Sequence, residues 1–457
     1  MDDISLEKQP INPTLKLNPI ENANYPSQMK YVMEIQRVIW SMNNENKEKL
    51  IPELMSIVTS ENSLKKFALD SLDYASSKKQ KYINAYADAY IKVSQEFRYN
   101  PFIESENFNI VLKSKGYSTN FLETEVTVDD VLNIYPPNSI CYFVTWDKVE
   151  ELKKHTADPS FNFNDFYDII PLIDIAAKYG SIECFKYLLL RGVEPTEDTE
   201  EYAIEGGNFE IMQILGQNYQ QKFKYKLETA IENHCSTEII QWLLKNTECE
   251  EISMAMCMKF YNIKMALFLL CNSYDINDVY EHHSDKTVKV TSLSMAVRSG
   301  LVDFVKILLE KQANINYVTT CTIYLESEIE EGETPLIIAC KNDDPDLCKV
   351  LIENGADPNK FVYNGERLDT PLTVACSNGY YDVVKVLLSN GSDIDFVVGE
   401  MNQDTALTIA TTHNYLKIVK LLVGKGANVN KSVNKKRHRV LFYFYNEILC
   451  CLMSKHL

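Results

Sequence analysis

The residues able to do chemistry were read first. Seven histidines stand at 155, 234, 282, 283, 413, 438 and 456. Only Glu281-His282-His283-Ser284-Asp285 clusters ligand types, and adjacent imidazoles point apart on most backbones. No second pair supplies zinc spacing, so the segment reads as a polar, solvated loop. Twelve cysteines include no C-x-x-C pair. They lie in apolar stretches such as Ala339-Cys340 and Ala375-Cys376, and Cys450-Cys451 is a vicinal pair in another. That pattern describes small reduced core residues, not a disulfide or metal framework. The phosphate-loop, dinucleotide, nucleophile-elbow, H-E-x-x-H and H-R-D signatures are absent, and Gly206-Gly207 falls at a repeat turn. The reading is no catalytic residue, no cofactor and no metal.

What positions these residues is a helical chain. Its 457 residues are 45% hydrophobic and 24% charged, with only 15 glycines and 15 prolines. Length alone suggests about three domains, and the low Gly and Pro content favours helix over turn-dense β architecture. A net charge of −18 repels phosphate backbones and argues against nucleic-acid binding. The N-terminus lacks a signal-peptide core, and no run of eighteen apolar residues exists. The expectation is a soluble, intracellular protein, cytoplasmic, with a nuclear location as the alternative.

Four segments align without gaps: TSLSMAVRSGLVDFVKILLEKQANIN from Thr291, TPLIIACKNDDPDLCKVLIENGADPN from Thr334, TPLTVACSNGYYDVVKVLLSNGSDID from Thr370, and TALTIATTHNYLKIVKLLVGKGANVN from Thr405. Each opens on a threonine placed to cap a helix. A short apolar helix follows, then a turn at Gly300, Asp343, Gly379 or Asn414, where positive φ is tolerated. A second helix carries paired aliphatics, and G-A-D-x-N or a variant closes the unit. Weaker copies run upstream from Pro171, Glu201, Leu227 and Ser253, giving eight helix pairs over 166–430. Ile140 to Glu151, with Trp146 as an anchor, reads as half of a further unit.

The four regular segments resemble ankyrin repeats. The resemblance implies an all-α ankyrin-repeat solenoid of stacked helix pairs with hairpin loops, preceded by a small helical N-terminal region. The histidine of the family's T-P-L-H is replaced by Ser294, Ile337, Thr373 and Thr408, so hydrogen bonding at this position should differ. A degenerate array ahead of regular repeats is similar to the type expanded in parasitic protists, and IPLIDIAAKYGSIECFKYLLLRG carries most of that likeness. The domains follow as a flexible tail over 1–27, helical 28–165, degenerate repeats 166–285, regular repeats 286–430, and a basic-apolar 431–457.

The parts outside the repeats are less patterned. Gln28 to Phe97 reads as about three helices. Its tyrosine stripe, Tyr82, Tyr86 and Tyr90, fits core packing better than a stacking platform for bases. Thr127 is placed to cap a short acidic helix from Val128. The basic run Asn434–Arg439 and the apolar Val440–Met453 read as a cap on the last repeat, a dimer contact or an interfacial anchor. Between repeats, Tyr317–Glu333 reads as a lengthened hairpin finger with an acidic tip, Glu326, Glu328, Glu330, Glu331 and Glu333. This tip steers a basic partner or simply solubilises. Phe361-Val362-Tyr363 and Phe396-Val397-Val398 read as neighbouring fingers of a structural rib.

A non-enzymatic scaffold or adaptor that binds another protein on its concave face accounts best for these features. A membrane-peripheral tether using the C-terminal segment is the alternative, with membrane contact only through that anchor. The resemblance places recognition at finger tips, first-helix faces and turns. These positions are Glu333, Arg367, Asp369 and Asp404; Arg298, Lys341 and His413; and Tyr380 and Tyr415.

Overall fold

The computed structural model describes residues 27–429 and 431, except 100, 120–124, 159, 164–169, 219–222, 225, 248–251, 272–273, 284–285, 325–327, 364–367 and 399–403. Of the expected tail over 1–27, residues 1–26 lie outside the described residues, and so do 432–457 of the C-terminal segment. Two compact units divide the chain: residues 1–253 with 260–274, and 254–259 with 275–457.

The first unit opens with four helices where the sequence suggested three: α1 (Ser27–Ser41), α2 (Lys47–Ser60), α3 (Lys65–Lys78) and α4 (Ile83–Phe97). The polar run after Ser60 ends α2 because its side chains compete for backbone partners, and Leu64 leads into α3. Pro52 lies inside α2, so one helical hydrogen bond is missing. Burial of Leu50, Leu54, Ile57 and Val58 carries the helix through it. Tyr86 and Tyr90 are buried, and desolvation raises both phenol pKa values beyond the ordinary range. Tyr90 meets Phe108 edge-on at 5.4 Å. Tyr86 and Tyr90 are core, as the spacing suggested, whereas Tyr82 is half-buried. Helix α5 (Glu106–Ser114) packs on α3 and α4, and α6 (Val128–Asn133) packs on α5. Thr127 and Asp130 form a capping box at the start of α6.

Helix pairs follow. The expected half unit at 140–151 is a whole one, α7 (Ile140–Thr145) and α8 (Val149–His155), with α7 packed on α9. Asp147 adopts φ +53° and turns the chain between them. Acidic residues in the first turn of α8 and basic ones in its last complement the helix dipole. The remaining pairs of this unit are α9 (Leu172–Lys178) with α10 (Ile182–Leu190), α11 (Thr199–Gly206) with α12 (Phe209–Asn218), and α13 (Leu227–Glu232) with α14 (Thr237–Asn246). Positive φ recurs every 27 residues, at Gly180, Gly207, His234 and Tyr261. The residue after each turn reaches back to an earlier unit. Asn208 Nδ2 donates to the Gly180 carbonyl at 3.2 Å and Asn262 Nδ2 to that of Ile231 at 3.2 Å. Cys235 Sγ meets the Ile204 carbonyl at 3.1 Å.

Helix α15 (Met254–Lys259) belongs to the second unit and α16 (Ile263–Cys271) to the first. In the second unit, strands β1 (Val279–His283) and β2 (Lys286–Thr291) precede α17 (Ser292–Arg298) and α18 (Val302–Glu310). Strands β3 (Thr319–Tyr324) and β4 (Glu328–Glu333) precede α19 (Pro335–Lys341) and α20 (Pro345–Glu353). The short β5 (Val362–Tyr363) and β6 (Leu368–Asp369) precede α21 (Pro371–Asn378) and α22 (Tyr381–Ser389), and α23 (Ala406–Thr412) with α24 (Leu416–Gly424) follows.

First helices neighbour first helices from α15 through α23, and α20, α22 and α24 neighbour one another in the same order. β1 to β4 form one antiparallel sheet in sequence order, and β4 adjoins β5. The Glu281–Asp285 segment, read as a loop, therefore supplies strand β1 up to His283, with His282 opposite Val288. Alternating β-branched residues in Lys286–Thr291 supply the pairing edge, and Lys289 pairs with Glu281 across the strands at 3.4 Å. The expected domain boundary at 285 thus falls within a hairpin. Among its described residues the third finger shows one bridge, Val398 with Asp404.

Candidate interaction surface

The four threonines do what their position requires. Thr291, Thr334, Thr370 and Thr405 each accept the backbone N–H three residues on, at 3.2–3.3 Å. The residues replacing histidine explain the next layer. Ser294, Thr373 and Thr408 return a hydrogen bond to the capping threonine's N–H, completing capping boxes. Ile337 cannot, and the Thr334 cap is one-sided.

This difference decides the fate of the residue before each threonine. Asp369 and Asp404 were expected at finger tips, open to a partner. Both are buried, at 5% and 4% exposure. Asp369 accepts from the Thr373 hydroxyl and Asp404 from the Thr408 hydroxyl, each at 3.2 Å. Their carboxylates are thus turned onto their own helix N-termini and are buried, not open at a finger tip. Glu333, without such a hydroxyl, binds the Arg298 guanidinium and the Lys341 ammonium, the latter at 2.6 Å. Burial alone would raise the Glu333 pKa, but the two cations outweigh it and hold it below the ordinary value. Arg298 and Lys341 remain half exposed, so two cations share one carboxylate and the Glu333 charge is more than balanced. Arg367 lies outside the described residues, as do the side chains of 321–331 at the acidic tip.

At the turns, Gly300, Asp343, Gly379 and Asn414 all adopt positive φ. Tyr415 packs over Gly379 so closely that an added Cβ would meet its ring at 2.8 Å. His413, exposed, stacks on Tyr415 at 5.8 Å with planes 7° apart. Tyr380 is half-buried, and burial followed by the Asp343 carboxylate raises its phenol pKa. Tyr415 therefore joins two repeats through one ring face before it offers anything outward.

Two features escaped the sequence reading. The closing Asn or Asp of each unit is a tie to the next. Asn316 Nδ2 donates to the Gly355 carbonyl while its Oδ1 accepts from Asp357 N, at 3.2 and 3.0 Å. Asn359 does the same with Gly391 and Asp393, at 3.0 and 2.6 Å. Asn277 Oδ1 accepts from Asn314 N, and Asp395 Oδ1 from Asn428 N. The recurring G-A-D-x-N was the available signal, read only as a turn. Second, the Phe361-Val362-Tyr363 finger buries only its middle side chain. Val362 is buried, whereas Phe361, Tyr363 and Leu368 are 50%, 47% and 37% exposed. Phe396 of the next finger stacks on Phe361 at 5.9 Å. An alternating strand packs one face and leaves the other in solvent, and here the outer face is aromatic.

Among the described residues no group of three His, Cys, Asp or Glu side chains converges on a metal position, and no helix is long and apolar enough to cross a membrane. Seven described cysteines are buried and Cys271 is exposed, all as free thiols. Ankyrin repeats, as a family model, match three times, over residues 227–362, 318–398 and 360–433. No curated protein matches the chain.

Proposed function

We propose, from the premise that residues 227–433 carry ankyrin repeats, that this chain is a non-enzymatic scaffold that binds another protein. Ankyrin repeats are in general protein–protein interaction modules, and the family is typically non-enzymatic. The docking face we assign is the one bearing the fingers and first helices of the second unit, the face the resemblance makes concave. The observation that carries this is the aromatic outer side of the Phe361–Leu368 finger. Large apolar side chains exposed together on a rigid hairpin are what interface anchors are made of. On the first helices and their ends, the half-exposed Arg298 and Lys341 and the exposed His413 supply polar groups of the kind an interface rim uses. The Arg298–Glu333–Lys341 triad holds two cations to one carboxylate, which disfavours a basic partner at that spot. We place the protein in the cytoplasm, with the nucleus as the alternative; its free, buried thiols support a reducing compartment.

Co-purification tests the reading. Full-length chain is compared with Phe361→Ser/Tyr363→Ser, and with Tyr381→Ser/Leu416→Ser, which removes apolar side chains of similar exposure from second helices. Partners retained by wild type and the second variant, and lost from the first, support the assignment. Equal recovery by all three removes it.

A further inference from the structure

A cavity of about 320 Å³ lies in the first unit, between the α3–α4 connection and the turns of three repeat units. Its walls are unusually rich in lysine for a chain of charge −18. Lys78, Lys79 and Lys81 enter from the connection, and Lys178 from α9. Glu201 and Glu205 enter from α11, and Glu232 from α13.

The charges do not cancel pairwise. Glu232 takes Lys78, Glu205 takes Lys178 at 3.7 Å, and Glu201 takes Lys226 at 2.5 Å. Two ammonium groups, those of Lys79 and Lys81, then remain without a carboxylate at ion-pair distance among the described residues. Lys81 Nζ donates to the Tyr179 carbonyl at 3.0 Å and lies over the Trp146 and Tyr179 rings, which leaves donor capacity open. Lys79 makes no side-chain hydrogen bond or ion pair among the described residues, and its Nζ stands over the Gly207 turn. A desolvated cation with no partner is costly. Burial lowers the pKa of both, that of Lys81 to about 8 even with Asp147 nearby opposing the shift.

We propose that this cavity binds a small phosphate-bearing anion, with Lys79 and Lys81 as its cationic partners. A dianion neutralises both ammonium groups, whereas a monoanionic carboxylate leaves one. The volume sits at the lower end of small-molecule sites, about 300–1,000 Å³, so a compact ligand is implied. The phosphate can be free or carried on an ester, and the two sources are separated by the probe used. The site is in the other unit from the docking face and does not depend on it.

The test uses the full chain at pH 8 and constant ionic strength, titrated calorimetrically with inorganic phosphate and, separately, with phosphoserine. Two buffers of different ionisation enthalpy are used. Saturable binding of either probe, with net proton uptake as the lysines regain full charge, is the expected result. Lys79→Met should weaken that binding at least tenfold without lowering the unfolding midpoint, since it removes a half-buried cation that has no ion-pair partner among the described residues. Lys81→Met should reduce the proton uptake. Neither probe binding saturably, or Lys79→Met binding as wild type does, overturns the proposal.

Discussion

The Arg298 guanidinium reaches from the first helix of one repeat to the Glu333 carboxylate that precedes the next. Lys341 closes on the same carboxylate from its own helix. Glu333→Gln is expected to destabilise the second unit by about 1–2 kcal/mol at pH 7, as for a partly buried ion pair losing one member. The folded-state pKa of Glu333 is depressed. Its contribution is therefore present above the ordinary carboxylate pKa and lost as pH falls through the folded value. Urea unfolding of wild type and variant should differ at pH 7 and converge in acid. A constant difference at all pH values would contradict the pairing.

The asparagine ties make a second case. Asn316→Ala and Asn359→Ala each remove two bonds between successive repeats. Each should lower the unfolding free energy by about 1–3 kcal/mol. Asn390→Ala, which loses only a bond to its own helix at Val386, should stay within about 0.5 kcal/mol. Equal costs for all three would show that the ties do not couple repeats.

Gly379 and Gly300 occupy equivalent turns with φ +79° and +70°. Alanine at Gly300 has open space and should cost only the backbone strain, about 1 kcal/mol. Alanine at Gly379 collides with the Tyr415 ring and should cost about 1–3 kcal/mol more. Combining it with Tyr415→Ala should recover part of that excess. Thermal or urea unfolding of the set checks this, and equal costs for the two glycines would remove the ring contact.

In the first unit, the half-buried His234 stacks on Trp40, with ring centroids 3.8 Å apart, and its Nε2 meets the Phe260 carbonyl at 2.7 Å. The bond to a carbonyl places the neutral ring's proton on Nε2. Desolvation lowers its pKa to about 3. The unfolded chain takes a proton near pH 6.5 that the folded ring refuses. This contribution is thus present above pH 6.5 and lost as pH falls toward 3, by about 1.4 kcal/mol per pH unit. His234→Phe should flatten that slope in urea titrations followed by tryptophan fluorescence. Parallel profiles for wild type and variant would refute the assignment.

The repeat frame was legible because capping threonines, turn residues and paired aliphatics recur in register, each tied to one backbone requirement. Residue-by-residue exposure was not. Asp369 and Asp404 look like tip carboxylates in a line of text, yet a hydroxyl four residues on draws both inward. Where Ile337 supplies none, Glu333 turns to cations instead. The β1 strand was hidden by Glu281-His282-His283, whose polarity resembles a loop until Lys286–Thr291 is laid beside it. Phe361 and Tyr363 were misjudged for a related reason. Composition shows an apolar finger, but only pairing register decides which side of it packs. The 27-residue spacing of left-handed turns upstream went unseen because His234 and Tyr261 stand where glycine usually marks such a turn.

The docking face is probed most directly by a photoreactive amino acid placed at position 363 and, in a second version, at position 381. Irradiation in cells should give a discrete covalent adduct with another protein from position 363 and none from position 381. No adduct from 363, or the same adduct from both, would contradict binding through the aromatic finger.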